Sequence, residues 1–150
     1  MAKFVVLCLG LLAAALSVKA LTKEELDHIK EATLMHFNEC NKDFNVSEED
    51  IKAAETQKNM DKIDACLIGC MMKRSHLLDG EGKFDTEKAI ELSKSFMKSE
   101  DDQKKFAEVV AECAKVNDEP VSDGANGCER SKMVLVCLAK HKAEFVPARR

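Results

Sequence analysis

Ala65-Cys66-Leu67-Ile68-Gly69-Cys70 is the stretch around which the chain is organised. On a helix, residues four apart stand one above the other on the same face. Cys66 and Cys70 are then too close and too parallel to bond readily to each other. Once oxidised, each reaches a different partner, and a helix that carries both is stapled to two other parts of the fold.

Whether they oxidise depends on the compartment, and residues 1–20 answer that. Lys3 gives a short basic start, Phe4 to Leu16 is an apolar run, and Val18-Lys19-Ala20 is a small-x-small cleavage site. This is the pattern of a secretory signal peptide, which leaves one domain at residues 21–150 in a secreted, extracellular chain. The apolar run falls short of the roughly 20 residues of a membrane-spanning helix, and no later segment qualifies. Cys8 leaves with the signal, and Cys40, Cys66, Cys70, Cys113, Cys128 and Cys137 remain. An even number in a secreted chain reads as three disulfides. The same cleavage leaves 21 basic against 27 acidic residues, a net charge of −6. That balance argues against nucleic acid and against anionic membrane surfaces, and predicts no stable membrane insertion. With no Trp and no Tyr, any pocket is built from Phe, Met and aliphatic side chains.

Helical spacing recurs along the whole chain and period-two alternation is not sustained anywhere, so the class is all-α. Thr22-x-x-Glu25 is a capping box that opens a helix with Leu26, Ile29, Thr33, Phe37, Cys40 and Phe44 on one seam. Ser47 opens a short second helix, while Asn45-Val46-Ser47 is also a glycosylation sequon. The third helix is expected from about Asp61 to Leu78, with Ile63, Cys66, Leu67 and Cys70 as its buried face. Asp79 to Gly82 is a turn, Asp85 caps a fourth helix, and a fifth starts near Ser99. Asp118 to Gly127 is a loop, and the last helix starts near Cys128. Its middle, Met133 to Ala139, is apolar all round, which predicts a central helix buried on most sides.

Enzyme readings fail for want of the chemistry. No C-x-x-C pair offers a redox or zinc site, and no G-x-S-x-G offers a nucleophile. His28, His36, His76 and His141 are scattered, and none is paired with Asp beside a cysteine. His28 and His36 stand two turns apart, too far for a helical metal pair. Asp79, Glu81 and Asp85 do not make a calcium loop, because Phe84 takes the place of the turn glycine and Lys83 that of an oxygen ligand. No cofactor, no metal and no catalytic residue is expected. What three disulfides permit is an interior that is not fully packed. An ordinary core tolerates voids badly, at about 24 cal/mol per Å³. A stapled helical shell around an apolar cavity is a plausible holder of an apolar ligand.

The intervals between the six cysteines are 25, 3, 42, 14 and 8 residues. With the gaps of 3 and 8, in an all-helical secreted chain, this pattern resembles the six-cysteine insect odorant-binding proteins, the pheromone-binding and general odorant-binding family. The resemblance covers about Leu21 to Phe145. It implies a compact domain of six helices around a hydrophobic pocket. It also implies three interlocked disulfides: Cys40 with Cys70, Cys66 with Cys128, and Cys113 with Cys137.

Function follows from the same resemblance. Family members carry small hydrophobic odorants or pheromones, volatile or lipid-like, and hand them to membrane odorant receptors; some release ligand when acidity changes. Pocket positions carried over by distance from the matching cysteines are Phe106, Val109, Leu135 and Leu138. Leu77, Phe96, Val110 and Val134 are added by apolar facing, and Phe145 and Val146 of the short tail as a wall or lid. Ser93 and His141 are weak candidates for polar recognition. The chain is expected as a monomer or weak homodimer. The alternative is a secreted interaction protein of the same fold, with a collapsed core and a role outside olfaction.

Overall fold

The computed structural model describes residues 21–56 and 63–145. The expected signal peptide, the first residues of the expected third helix, and Val146 lie outside this range. Among the described residues the fold is helical, with seven α-helices: α1 (Lys23–Cys40), α2 (Glu48–Thr56), α3 (Ala65–Arg74), α4 (Thr86–Phe96), α5 (Glu100–Cys113), α6 (Cys128–Lys140) and α7 (Lys142–Phe145). Six correspond to the helices expected from sequence. The seventh is a single turn beyond His141 that the periodicity does not announce.

Local chemistry starts each helix. In α1 the Thr22 Oγ1 accepts from the Glu25 amide while Glu25 Oε2 accepts from the Thr22 amide, which completes the capping box. Glu25 does more than cap: its Oε1 accepts from the Lys98 amide at 2.8 Å, tying the start of α1 to the end of α4. Ser47, Asp64, Asp85 and Ser99 accept the first free amides of α2, α3, α4 and α5. Helix α6 begins differently. Gly127 precedes it at φ 67°, and Asp123 reaches from upstream to accept the Cys128 and Glu129 amides.

Packing then fixes the order in space. Helix α3 lies against α6, α4 against α5, and α1 against both α3 and α4. Helix α3 approaches α6 closely at Gly69, where a Cβ would stand 3.3 Å from the Cys128 Cα. This brings the Cys66 and Cys128 Cα atoms to 4.4 Å, and their sulfurs are bonded. Cys40 is bonded to Cys70 and Cys113 to Cys137, so the expected interlocked pairing is the observed one. Cys66 and Cys70, one turn apart on α3, go to α6 and α1.

Two expectations about burial are corrected. The third helix is shorter than expected, starting at Ala65 after the Asp64 cap and ending at Arg74. Its buried face is Leu67, Ile68, Gly69 and Met72. Cys66 is exposed and Cys70 half-buried, because the two disulfides lie on the flanks where α3 meets its neighbours and not beneath it. Ile63 is buried but precedes the helix. Helix α6 is central in its contacts yet not buried all round: Val134 is fully buried, whereas Val136 is 38% exposed and Met133, Leu135 and Leu138 are half-buried. Apolar composition alone overstates burial here, since among the described residues Val136 lines an open groove with Ala65, Glu129, Lys132 and Met133. The deepest polar groups of α6 lie in its first turn. Arg130 and Ser131 are buried, with Ser131 bonded to the Gly127 carbonyl and Arg130 bonded to the Val116 and Glu119 carbonyls. The expected loop from Asp118 to Gly127 contains one 3₁₀ turn, Gly124–Asn126, and a second, Ala114–Asp118, runs up to its start.

Candidate functional site

Of the residues expected to line a pocket, Phe106, Val109 and Val110 lie on α5, Val134, Leu135 and Leu138 on α6, and Phe145 on the terminal turn α7, while Leu77 follows α3 and Phe96 ends α4. Val109, Val110, Val134 and Phe145 belong to a single buried apolar cluster, and Val110 and Val134 expose no surface at all. Leu77, Phe106, Leu135 and Leu138 are half-buried against it. Phe96, the last residue of α4, is half-buried but is not among the apolar residues packed against this cluster. The reason lies in the helix end. Met97, the next residue, leaves the helix in extended conformation and takes the buried place.

Phe145 closes the region. Its ring meets that of Phe106 edge-on, with centroids 5.9 Å apart and planes at 77°. Its carbonyl accepts from the Leu21 backbone nitrogen at 3.0 Å, and Leu21 is itself buried. The two ends of the described domain are thus clasped together over α5. His141, at the end of α6, stands between two carboxylates: Nδ1 lies 2.7 Å from Glu144 of α7 and Nε2 3.5 Å from Glu112 of α5. The hydrogen bond with Glu144, with Glu112 beside it, raises the imidazole above its ordinary range. At the start of α1, the Lys98 amide and then the Thr22 amide hold the Glu25 carboxyl below its ordinary value.

Of the weak polar candidates, Ser93 is buried and donates its hydroxyl hydrogen to the Ile90 carbonyl, so it is engaged within its own helix. His141 is engaged with Glu112 and Glu144. Two concavities among the described residues are open grooves. One, of ≈ 500 Å³, is lined by Ala65, Glu129, Lys132, Met133 and Val136 on the outer side of α3 and α6. The other runs along the first turns of α1, from Lys23 to Glu31. None of the pocket candidates lines either groove. Among the described residues no group of three or more His, Cys, Asp or Glu is placed to hold a metal ion, and no helix is long and apolar enough to cross a membrane.

Sequence reasoning missed three parts of this region. The Leu21–Phe145 clasp has no local signal, because it joins the two ends of the domain. Arg130 reads as a surface residue in a polar first turn. Asn117 lies in an unremarked segment, yet its side chain makes two hydrogen bonds with the Phe84 backbone and pins the 79–84 turn to the segment that follows α5.

Comparison with known proteins agrees with this architecture. The model of the PBP/GOBP family matches residues 22–141. General odorant-binding protein 19d of Drosophila melanogaster is 33% identical over 141 residues, covering 93% of this chain and 85% of that protein. No solved structure matches the chain significantly.

Proposed function

Because the chain belongs to the PBP/GOBP family, we propose that it is a secreted carrier which binds and solubilises small hydrophobic odorants or pheromones and delivers them to olfactory receptors. The observation that supports this reading is that Phe106, Val109, Val134, Leu135, Leu138 and Phe145 all belong to or pack against the apolar core of a fold cross-linked by three disulfides. The side chains there are apolar, so recognition rests on shape and desolvation, and affinity follows the apolar area that a ligand buries, at about 25 cal/mol per Å². Three cross-links hold the helices while a ligand parts the side chains between them. The terminal turn is the natural gate, since it is one turn long and is held by the Phe106–Phe145 ring contact, the Leu21–Phe145 hydrogen bond and the contacts of His141 with Glu112 and Glu144.

A second reading is favoured by a different observation. Val110 and Val134 expose nothing, and two concavities among the described residues are open grooves that none of the candidate residues lines. This supports a secreted interaction protein of the same fold, with a collapsed core.

Displacement of a fluorescent apolar probe from the oxidised protein separates the two. A panel of fatty alcohols, esters, aldehydes and terpenes is run at pH 7 and pH 5. The carrier reading expects saturable, competable uptake with an optimum of chain length. Absence of uptake at both pH values, in a protein with three verified disulfides, sinks the carrier reading and leaves the collapsed-core one.

A further inference from the structure

We propose that Asn45 is an N-glycosylation site, bearing an oligosaccharide on the exposed corner between α1 and α2. The inference rests on the secretory reading of residues 1–20, because the modification is made on chains that enter the secretory pathway.

Asn45-Val46-Ser47 has the required pattern, an Asn, a residue other than Pro, and a hydroxyl residue two on. The structure adds the geometry. Helix α1 ends at Cys40, a 3₁₀ turn covers Asn41–Asp43, and α2 starts at Glu48. Between them Asn45 takes φ 53°, the left-handed conformation that Asn tolerates better than most residues. This corner turns its side chain outward while Phe44 and Val46 on either side pack against the core. Asn41 holds the corner in shape: its amide donates to the Val46 carbonyl at 2.6 Å and its carbonyl oxygen accepts from the Val46 amide at 2.8 Å. Asn45 is exposed, and among the described residues its side chain makes no hydrogen bond. A glycan there displaces no packing and breaks no contact.

The hydroxyl of Ser47 is the apparent obstacle. In the folded protein it accepts from the Asp50 amide and donates to the Asp50 carboxylate. That cap exists only once α2 has formed. A helix of nine residues is marginal in isolation, since isolated helices shorter than about 12–15 residues are not stable in water. On the entering chain the Ser47 hydroxyl is therefore free. In the transfer, Nδ2 of Asn45 forms a bond to the anomeric carbon of the sugar and loses one proton. The bond from that carbon to the oxygen of a polyprenyl-diphosphate oligosaccharide donor breaks, and its electron pair leaves with the diphosphate.

The test expresses the full precursor in an insect secretory cell line and measures the intact mass of the secreted protein before and after an amidase that releases N-linked glycans. The expected result is a heavier secreted chain that falls to the peptide mass on digestion, with aspartate left at position 45. Asn45→Gln and Ser47→Asp both give a bare chain. Ser47→Asp keeps a capping side chain, so unchanged helix content in that variant separates loss of the acceptor from loss of the cap. Ser47→Thr keeps both the cap and the glycan. A secreted wild-type chain with three disulfides and no glycan overturns the site alone. A chain retained in the cell with residues 1–20 attached overturns the secretory reading, and the site with it.

Discussion

Phe106 and Phe145, thirty-nine residues apart in sequence, meet edge to face, with ring centroids 5.9 Å apart. The contact joins the middle of α5 to the last described residue and fixes the terminal turn α7 against α5. An edge-to-face pair adds about 0.5–1.5 kcal/mol to the area it buries. Phe145→Ala loses both contributions. Phe to Ala in a closed core costs about 3–5 kcal/mol, and a terminal turn that relaxes recovers part of it, so about 2–3 kcal/mol is expected. Urea unfolding of the oxidised protein measures this, and Phe145→Leu should cost about half as much. A change below ~0.5 kcal/mol would show that the terminal turn is not docked in solution.

His141 sets the sign of the pH response at this end. Its folded-state pKa is raised above 6.5 by Glu144 and then Glu112. A raised pKa contributes stability that is fully present below the unfolded value and is lost as pH rises through the folded value. Acid therefore tightens the clasp at this residue, the reverse of an acid-opened gate. The stability difference between wild type and His141→Gln should be larger at pH 5.5 than at pH 8.5. If wild type instead gains on the variant as pH rises, the two carboxylates do not hold the imidazole in solution.

Glu25 answers to a lower pH with the opposite sign. Its folded-state pKa is lowered, by the Lys98 amide first and then the Thr22 amide. Its contribution is present above the ordinary value of 4.5 and disappears as pH falls through the folded value. In Glu25→Gln one of the two amides meets a donor in place of an acceptor, which costs about 1–2 kcal/mol at pH 7. Denaturant midpoints of the two proteins should converge below pH 4. Parallel curves down to pH 3 would rule out the ionised carboxylate as the source of the difference.

Backbone conformation gives two substitutions of opposite effect. Gly82 has φ 76°, and a Cβ there would stand 2.7 Å from the Gly124 carbonyl oxygen. Strain and clash together predict a loss of about 2–3 kcal/mol for Gly82→Ala, while Gly80→Ala, with nothing within 4 Å, is silent. His76 follows α3 at φ 57°, with the Leu77 amide bonded to the Met72 carbonyl, the arrangement in which glycine usually ends a helix. His76→Gly should gain a few tenths to about 1 kcal/mol. Thermal unfolding of the three variants side by side reads both signs.

What the sequence determined by itself was everything carried by short-range chemistry or by fixed intervals. The capping box at Thr22 and Glu25, the caps at Ser47, Asp85 and Ser99, and the turn from Asp79 to Gly82 each depend on atoms a few residues apart, and all are present. The cysteine intervals pointed to a family and, through it, to the observed pairing. Burial and the chain ends were decided only by the tertiary structure. Met133 to Ala139 reads as buried on every side, yet Val136 faces outward, because burial depends on which neighbours arrive and not on the composition of the helix. Phe96 and Met97 are adjacent apolar residues, and the helix end between them decides which one goes inside. Leu21 and Phe145, Phe106 and Phe145, and Glu25 and Lys98 are joined across 124, 39 and 73 residues of sequence. A sequence carries no local signal for such pairs. They exist because three disulfides and the close approach of α3 to α6 at Gly69 bring distant segments to one place.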